Sequence, residues 1–484
     1  MRTFKVRDVA TTEEMPGGGK MTKVLFVTAL NPESEVALRQ PSLGVGYLLS
    51  MIRQHRAGRY EFHHAYRKIP NVLDTYRPDL LAISSTSPYY GSAREYAQAA
   101  KARGIPVIIG GIHISMLPES LSPEMDVAVL GEGEQTLLRL LDVFEETGRF
   151  PRDHLRGIPG IAFREEDGSL VRTEPVEHID PLDEIPFPDR TLGPIHRHAH
   201  MFTSRGCPYR CSFCASTRYW LGKVRFFSAE YVVAEIEELI EQHGVSVISF
   251  YDDLFCANLK RCMEIAALLD KRGLIGRAKF TCNARANLVT DELARVLKAM
   301  NVASVNMGLE SGCETTLRFL KDHVTVEQNR QAVDILHRHG LFVSGSFVIG
   351  SPCETEAQMM ETYKFLRKAP LAIADIYILT PYPGTPIWDY ALRRGLVSLD
   401  MDWSRLAYVN KVDPGHTINL SQHLTTERLR AIHRKFLRLR CRKILSKILF
   451  HPYRNDLPGM ASRALGGMVA RKTRQIWQGL FGGK

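Results

Sequence analysis

The sequence predicts an α/β protein: an N-terminal doubly wound domain, then a partial (β/α)6 TIM-like barrel, then a helical, basic C-terminal segment. Three observations carry this. Short β-branched and aliphatic runs alternate with helical patterns in 23–150 and again in 197–395, as in parallel sheets covered on both faces. Between the two series lies a connector, 151–196, in which Asp167-Gly168 between Ile161–Arg164 and Ser169–Thr173 reads as a hairpin turn. Finally, 396–484 ends in a stretch crowded with Lys and Arg. With 484 residues, 44% of them apolar, the chain is too long for one core and too apolar to stay disordered. No apolar run approaches the ~18 residues of a membrane span, and the first residues lack the apolar stretch of a secretory signal.

Residues 1–22 read as a loose, disordered leader containing Pro16-Gly17-Gly18-Gly19. The first domain follows with strands Val24–Thr28, Tyr60–His63, Leu80–Ser84, Pro106–Ile109 and Val127–Leu130. Helix Gly91–Ala102 is stopped by Gly104 ahead of Pro106. In such a flavodoxin-like arrangement the ligand crevice lies beyond the carboxyl ends of the strands. There stand Ser84-Ser85-Thr86, Gly110-Gly111-Ile112-His113 and Gly131-Glu132-Gly133-Glu134. Small residues at three successive strand ends let a ligand approach the backbone, although tight strand-to-helix turns use the same residues. The second series has strands His200–Thr203, Val247–Tyr251, Lys279–Cys282, Ser304–Gly308, Val343–Ile349 and Ile376–Leu379. Ser228 and Thr290 are N-caps, Thr325 with Gln328 forms a capping box, and Gly244, Gly273 and Gly340 stop helices. Six such units make an open barrel whose chemistry gathers at the C-terminal ends of its strands.

Nine cysteines without an export signal suit a reducing cytoplasm. None precedes Cys207. Cys207, Cys211 and Cys214 crowd into the loop after the first barrel strand, while Cys256, Cys262, Cys282, Cys313, Cys353 and Cys441 stand singly and read as small buried residues. A structural zinc site asks for a fourth ligand at matching spacing, which is missing. A cubic iron–sulfur cluster normally takes four cysteines, so three leave one iron open to a substrate or cofactor.

Cys207-Pro-Tyr-Arg-Cys211-Ser-Phe-Cys214, after the first strand of six βα units, resembles the radical SAM superfamily. The resemblance implies a 4Fe-4S cluster on Cys207, Cys211 and Cys214 and S-adenosyl-L-methionine chelated by the open iron. It also implies one-electron cleavage of that cofactor to methionine and a 5′-deoxyadenosyl radical. It places Phe213 on the adenine, Asp252 or Asp253 at the methionyl ammonium, Arg285 at the carboxylate, and Glu310, in Gly308-Leu309-Glu310-Ser311-Gly312, against the cofactor. The Asp252-Asp253 pair departs from the family's common Gly-Gly-Glu, and helix capping would use the same residues. Gly350-Ser351-Pro352 and Pro381–Pro386 resemble the fifth and sixth strand ends.

The preceding doubly wound domain resembles the cobalamin-binding subgroup, which holds magnesium-protoporphyrin ester cyclase-like and class B methylase-like enzymes. That implies a cobalamin site at Ser84, Ser85, Thr86, Gly110, Gly111, His113, Gly131, Glu132 and Gly133. The loop from Ala29 to Val36 has no Asp-x-His-x-x-Gly to coordinate cobalt, as is common in the subgroup; a degenerate domain without corrinoid stays open. The absence of earlier cysteines leaves no second N-terminal cluster of the methylthiotransferase kind.

The net charge of +10 sits in the tail. Residues 421–484 hold fifteen Lys and Arg against Glu427 and Asp456, a net of +13 that leaves the first 420 residues at −3. Leu429, Ile432, Phe436 and Leu439 share one helical face, and Ile444, Leu445, Ile448, Leu449, Phe450, Ile476, Trp477, Leu480 and Phe481 add apolar surface. Two readings follow: a helix packed on the barrel with its basic face in water, or an in-plane anchor on an anionic membrane. Nothing resembles a nucleic-acid-binding module. The expectation is a cytoplasmic cobalamin-dependent radical SAM enzyme, peripheral on the inner membrane face if the tail docks there. It would methylate, cyclise or rearrange an unactivated carbon of a small-molecule or lipid-like substrate, with electrons from a reductase, flavodoxin or ferredoxin. The alternatives are a radical SAM oxidoreductase without cobalamin and a cluster-based sensor or scaffold.

Overall fold

The computed structural model describes residues 21–30, 42–193, 195–407 and 417–447, with the backbone alone at 444–447. Residues 1–20 of the leader, most of the loop after the first strand and the tail beyond 447 lie outside them, and with them most of the cobalt-loop expectation and the distal apolar patches; Thr22, placed at the end of the leader, already opens the first strand. Strands β1 (Thr22–Ala29), β2 (Tyr60–Ala65), β3 (Leu80–Ser85), β4 (Val107–Gly110) and β5 (Val127–Val129) are parallel, in the order β2-β1-β3-β4-β5. Both faces are covered because β1 is apolar at successive positions. Val24 and Phe26 join the cluster under helix Leu43–His55, while Leu25 and Val27 join Ala93, Ala97 and Ala100 of helix Tyr90–Lys101.

The hairpin is not a free connector. Strand β6 (Ile161–Arg164) pairs antiparallel with β5, and β7 (Leu170–Arg172) with β6, so the sheet has seven strands. The reason is the run Ile161-Ala162-Phe163, fully buried on both faces, which a solvent-exposed hairpin could not carry.

The barrel is a six-stranded, wholly parallel half-cylinder. Its strands are β8 (His198–Met201), β11 (Val247–Phe250), β12 (Lys279–Ala284), β13 (Val302–Glu310), β14 (Phe342–Ile349) and β15 (Ile373–Ile378), in that spatial order. A separate ribbon pairs β9 (Ser204–Arg205) with β10 (Arg225–Phe226). Strand β8 ends earlier than the sequence suggests because the Thr203 N–H goes to a carboxylate, Asp252 Oδ1 at 2.6 Å, instead of a neighbouring strand. The expected caps form: Ser228, Thr290 and Thr325 accept from the third backbone N–H of their helices, and Gln328 completes the box.

An open barrel leaves two strand edges to satisfy. At β8, Arg190 Nη2 donates to the His200 carbonyl at 3.0 Å. At β15, helix Thr426–Lys447 lies along the edge: His433 Nε2 meets the Ile376 carbonyl at 3.0 Å and Arg440 pairs with Asp375 at 2.7 Å. Leu429, Ile432, Phe436 and Leu439 are buried in the barrel core. Of the two readings of the tail, this helix follows the first, packing on the barrel with its apolar face buried. Among the described residues no helix is long and apolar enough to cross a membrane.

Candidate active site

The β9–β10 ribbon closes the neck of a loop, 206–224, that carries all three crowded cysteines. Gly206 makes the neck possible: its φ is +103°, and a Cβ there would run into the Lys223 carbonyl. Cys207, Cys211 and Cys214 are half-buried free thiols. They are spread along the loop; among the described residues no three His, Cys, Asp or Glu side chains converge on a single metal ion. Three thiols on one loop would serve as the three protein ligands of a 4Fe-4S cluster with one iron left open. Burial pushes the Cys211 thiol up, and Lys321 and Arg285 oppose that shift, a cationic setting that favours thiolate. Arg285 Nη1 donates to Cys211 Sγ at 3.3 Å. The rest of that guanidinium is fixed by Asn287 Oδ1 at 3.1 Å, Asp322 Oδ1 at 2.9 Å and the Tyr209 ring 3.6 Å away. Arg285 therefore stands against Cys211, one of the three crowded thiols.

Asp252 and Asp253 part company. Asp252 is fully buried, and its oxygens accept from Thr203 N at 2.6 Å, Thr203 Oγ1 at 2.5 Å and Ser204 Oγ at 2.8 Å. It holds the turn that leads into the cysteine-bearing loop, with three hydrogen bonds inside the protein. Asp253 is exposed toward a cavity and accepts from Ser216 Oγ at 2.8 Å. Glu310 is buried with φ at +54°, and its carboxylate lies over Gly308, where a Cβ would collide with it. Lys321 Nζ pairs with Glu310 Oε1 at 3.4 Å and donates to the Gly308 carbonyl. Burial raises the Glu310 pKa and Lys321 counters it.

A cavity of about 480 Å³ opens between the first sheet's strand ends and the barrel. Ser84, Ser85, Thr86, Gly110, Gly111, Gly131, Glu132 and Gly133 line it, together with Arg205, Tyr219 and Trp220 from the cluster loop and its neck. A Cβ at Gly44 or Gly131 would meet no atom within 4 Å, so these glycines leave room on the cavity wall. That apolar recess fits the approach of a large, mostly uncharged macrocycle to backbone, and among its described lining residues there is no histidine to ligate a metal.

One expected residue lies elsewhere. His113 is fully buried away from the cavity, with Nδ1 on Ser87 Oγ at 3.0 Å, Nε2 on Ser120 Oγ at 3.1 Å, and its ring against Tyr90 and Trp403. Glu132 borders the cavity, but its Oε1 takes Arg205 Nη1 at 2.5 Å and Arg225 Nη2 at 2.7 Å. A second cavity, about 390 Å³, shares Thr86 and Ile112 with the first and reaches Phe213 and Cys214 of the cluster loop. Tyr209, Arg205 and Arg225 escaped the sequence reading because each meets its partner only through long-range folding, and Lys321 because nothing local marks its return to Gly308 and Glu310.

Comparison with known proteins agrees with this geometry. Residues 201–366 match the Radical SAM superfamily model and residues 34–141 the B12 binding domain model. The chain is 31% identical over 435 residues to an uncharacterized methyltransferase of Pyrococcus horikoshii, covering 85% of this chain and 92% of that one. It is 30% identical to the anaerobic magnesium-protoporphyrin IX monomethyl ester cyclase of Rubrivivax gelatinosus over 66% of this chain, and spans only 60% of that relative. In fold it is similar to the radical S-adenosylmethionine methyltransferase TsrM of Kitasatospora setae, solved with cobalamin and a [4Fe-4S] cluster, at TM-score 0.65 and 19% identity, covering 78% of this chain and 76% of that one.

Proposed function

Because the chain belongs to the radical SAM superfamily, in its cobalamin-binding subgroup, we propose that it transfers a methyl group to an unactivated carbon of an uncharged, apolar region of a small molecule. Cys207, Cys211 and Cys214 hold the cluster, Phe213, Asp253 and Glu310 face S-adenosylmethionine, and Ser84–Thr86, Gly110, Gly111, Gly131 and Gly133 receive cobalamin. When bound, these groups supply a 5′-deoxyadenosyl radical for hydrogen abstraction and a cobalt-borne methyl group. The observation that carries the reading is the second cavity. It borders the strand-end recess at Thr86 and Ile112 and reaches Phe213 and Cys214, and its lining, including Pro88, Met116, Tyr382 and Pro383, contains no charged side chain among the described residues. A carbon held there has no buried cation or anion to answer, so its selection rests on shape and apolar contact.

This chain's own residues prepare the site in definite ways. Arg285 places positive charge beside Cys211, Asp252 locks Thr203 and Ser204 at the loop's entrance, and Lys321 keeps Glu310 in its strained left-handed position. Methyl transfer is favoured over cyclisation because the relative whose length this chain nearly spans bears a methyltransferase name, whereas the cyclase is matched over three fifths of its length. Electrons come from a cellular reductase, flavodoxin or ferredoxin.

The test is anaerobic reconstitution with iron, sulfide, hydroxocobalamin, S-adenosylmethionine and dithionite. The wild type is expected to release 5′-deoxyadenosine and S-adenosylhomocysteine, and Cys211→Ala neither. Absence of 5′-deoxyadenosine from the wild type sinks the enzyme reading; 5′-deoxyadenosine without S-adenosylhomocysteine replaces methylation by cyclisation or rearrangement.

A further inference from the structure

Among the described residues, one turn of the first domain, Gly131–Glu134, takes the hydrogen bonds that the loop 206–224 and its neck make to that domain. The two arginines at the loop's neck, Arg205 on β9 and Arg225 on β10, both donate to Glu132 Oε1, at 2.5 and 2.7 Å. Arg205 Nη2 also donates to Glu134 Oε1 at 2.6 Å. All four side chains are buried, with exposures between 3% and 8%, so two cations and two anions form a buried quartet of balanced charge. On the loop's far arm, Tyr219 Oη donates to the Gly131 carbonyl at 2.8 Å, only five residues beyond Cys214. Trp220, the next residue, walls the strand-end cavity, as do Gly131, Glu132, Gly133 and Glu134 themselves.

We infer that this turn is a latch that couples the two cofactor sites: filling the strand-end cavity favours the cluster-ready loop, and an assembled cluster tightens the cavity in return. Glu132 is then a positioning residue that acts through Arg205 and Arg225. The coupling is reciprocal by thermodynamic necessity, since both sites bias one set of contacts. It is switch-like because a buried quartet that loses one member strands the others' charges in a buried interface. The inference rests on the functional reading above, which supplies the two ligands.

The experiment titrates hydroxocobalamin, anaerobically, into protein with and without the reconstituted cluster, reading tryptophan quenching. In the wild type the cluster is expected to tighten the dissociation constant about tenfold, and in Glu132→Gln and Tyr219→Phe by about twofold or less, each variant being compared with its own cluster-free form. Tyr219→Phe removes one hydroxyl and keeps the test open should Glu132→Gln fail to fold. A cluster without effect on the wild-type constant, or full coupling in Tyr219→Phe, overturns the latch and leaves the functional reading standing. A wild type that binds no hydroxocobalamin overturns the functional reading itself, and the latch with it.

Discussion

His113 occupies a strand end that the sequence marks for a cofactor, yet both its ring nitrogens are already engaged by serine hydroxyls. Burial holds the ring neutral, its pKa pushed down to about 3 from 6.5. Between those values the unfolded chain binds a proton that the folded protein refuses, so stability falls as pH drops through 6.5 and goes on falling toward 3. At about pH 5.5 the loss from this one group is about 1.4 kcal/mol. His113→Gln is expected to cost ~1–3 kcal/mol at neutral pH through its unpaired serines, and to remove that acid-dependent share. Urea unfolding at about pH 7.5 and 5.5 measures both; an undiminished acid loss in the variant would show that another group titrates. Hydroxocobalamin affinity should not move. The contrast with the cysteines explains what was legible. Cys207, Cys211 and Cys214 signal through local spacing, whereas His113, Glu132 and Lys321 acquire their roles from partners that only the fold brings near.

At the scale of elements, alternation and capping were readable because each is written within a dozen residues. The strands fell within a few residues of expectation, and Thr325 with Gln328 caps its helix as the spacing implies. What escaped was allegiance: the hairpin β6–β7 joins the first sheet, and helix Thr426–Lys447 seals the β15 edge. Neither partner is encoded locally. For the helix, amphipathicity alone could not choose between a barrel and a membrane, and packing decides. Phe436 is fully buried and meets the Tyr363 ring edge-on at 5.3 Å, while Leu429 fits against Gly350, where a Cβ would lie 3.1 Å from Leu429 Cδ2. Phe436→Ala is therefore expected to cost ~3–5 kcal/mol in chemical denaturation. An anchor helix would behave oppositely: the variant would keep its stability and sediment less with anionic liposomes.

Across the whole molecule the two α/β bodies share their cores, which no boundary drawn at the connector anticipates. After the barrel's last strand, helix Pro386–Arg393 and the turn Trp403–Leu406 return to the first domain. There Trp388, Trp403, Ile418 and Leu420 belong to the same apolar cluster as Leu81, Ile83, Ala93 and Ala97. Trp403 is the keystone of that contact: it meets His113 at 4.6 Å, Tyr90 edge-on at 5.8 Å and Trp388 in a stack at 5.9 Å between ring centroids. With the buried quartet at the other side of the boundary, neither body can unfold and leave its partner's apolar surface intact. The protein should consequently lose both in one transition. Tryptophan fluorescence, to which Trp388 and Trp403 of the shared core contribute beside Trp220 of the cavity wall, and iron–sulfur absorbance, which reports the barrel, are expected to give the same denaturant midpoint. Trp403→Ala should lower both midpoints together, by ~3–5 kcal/mol of stability for the cavity it opens. Separate midpoints in the wild type, or a Trp403→Ala variant in which only the fluorescence midpoint falls, would mean that the bodies unfold independently and that the return segment is a strap on one of them.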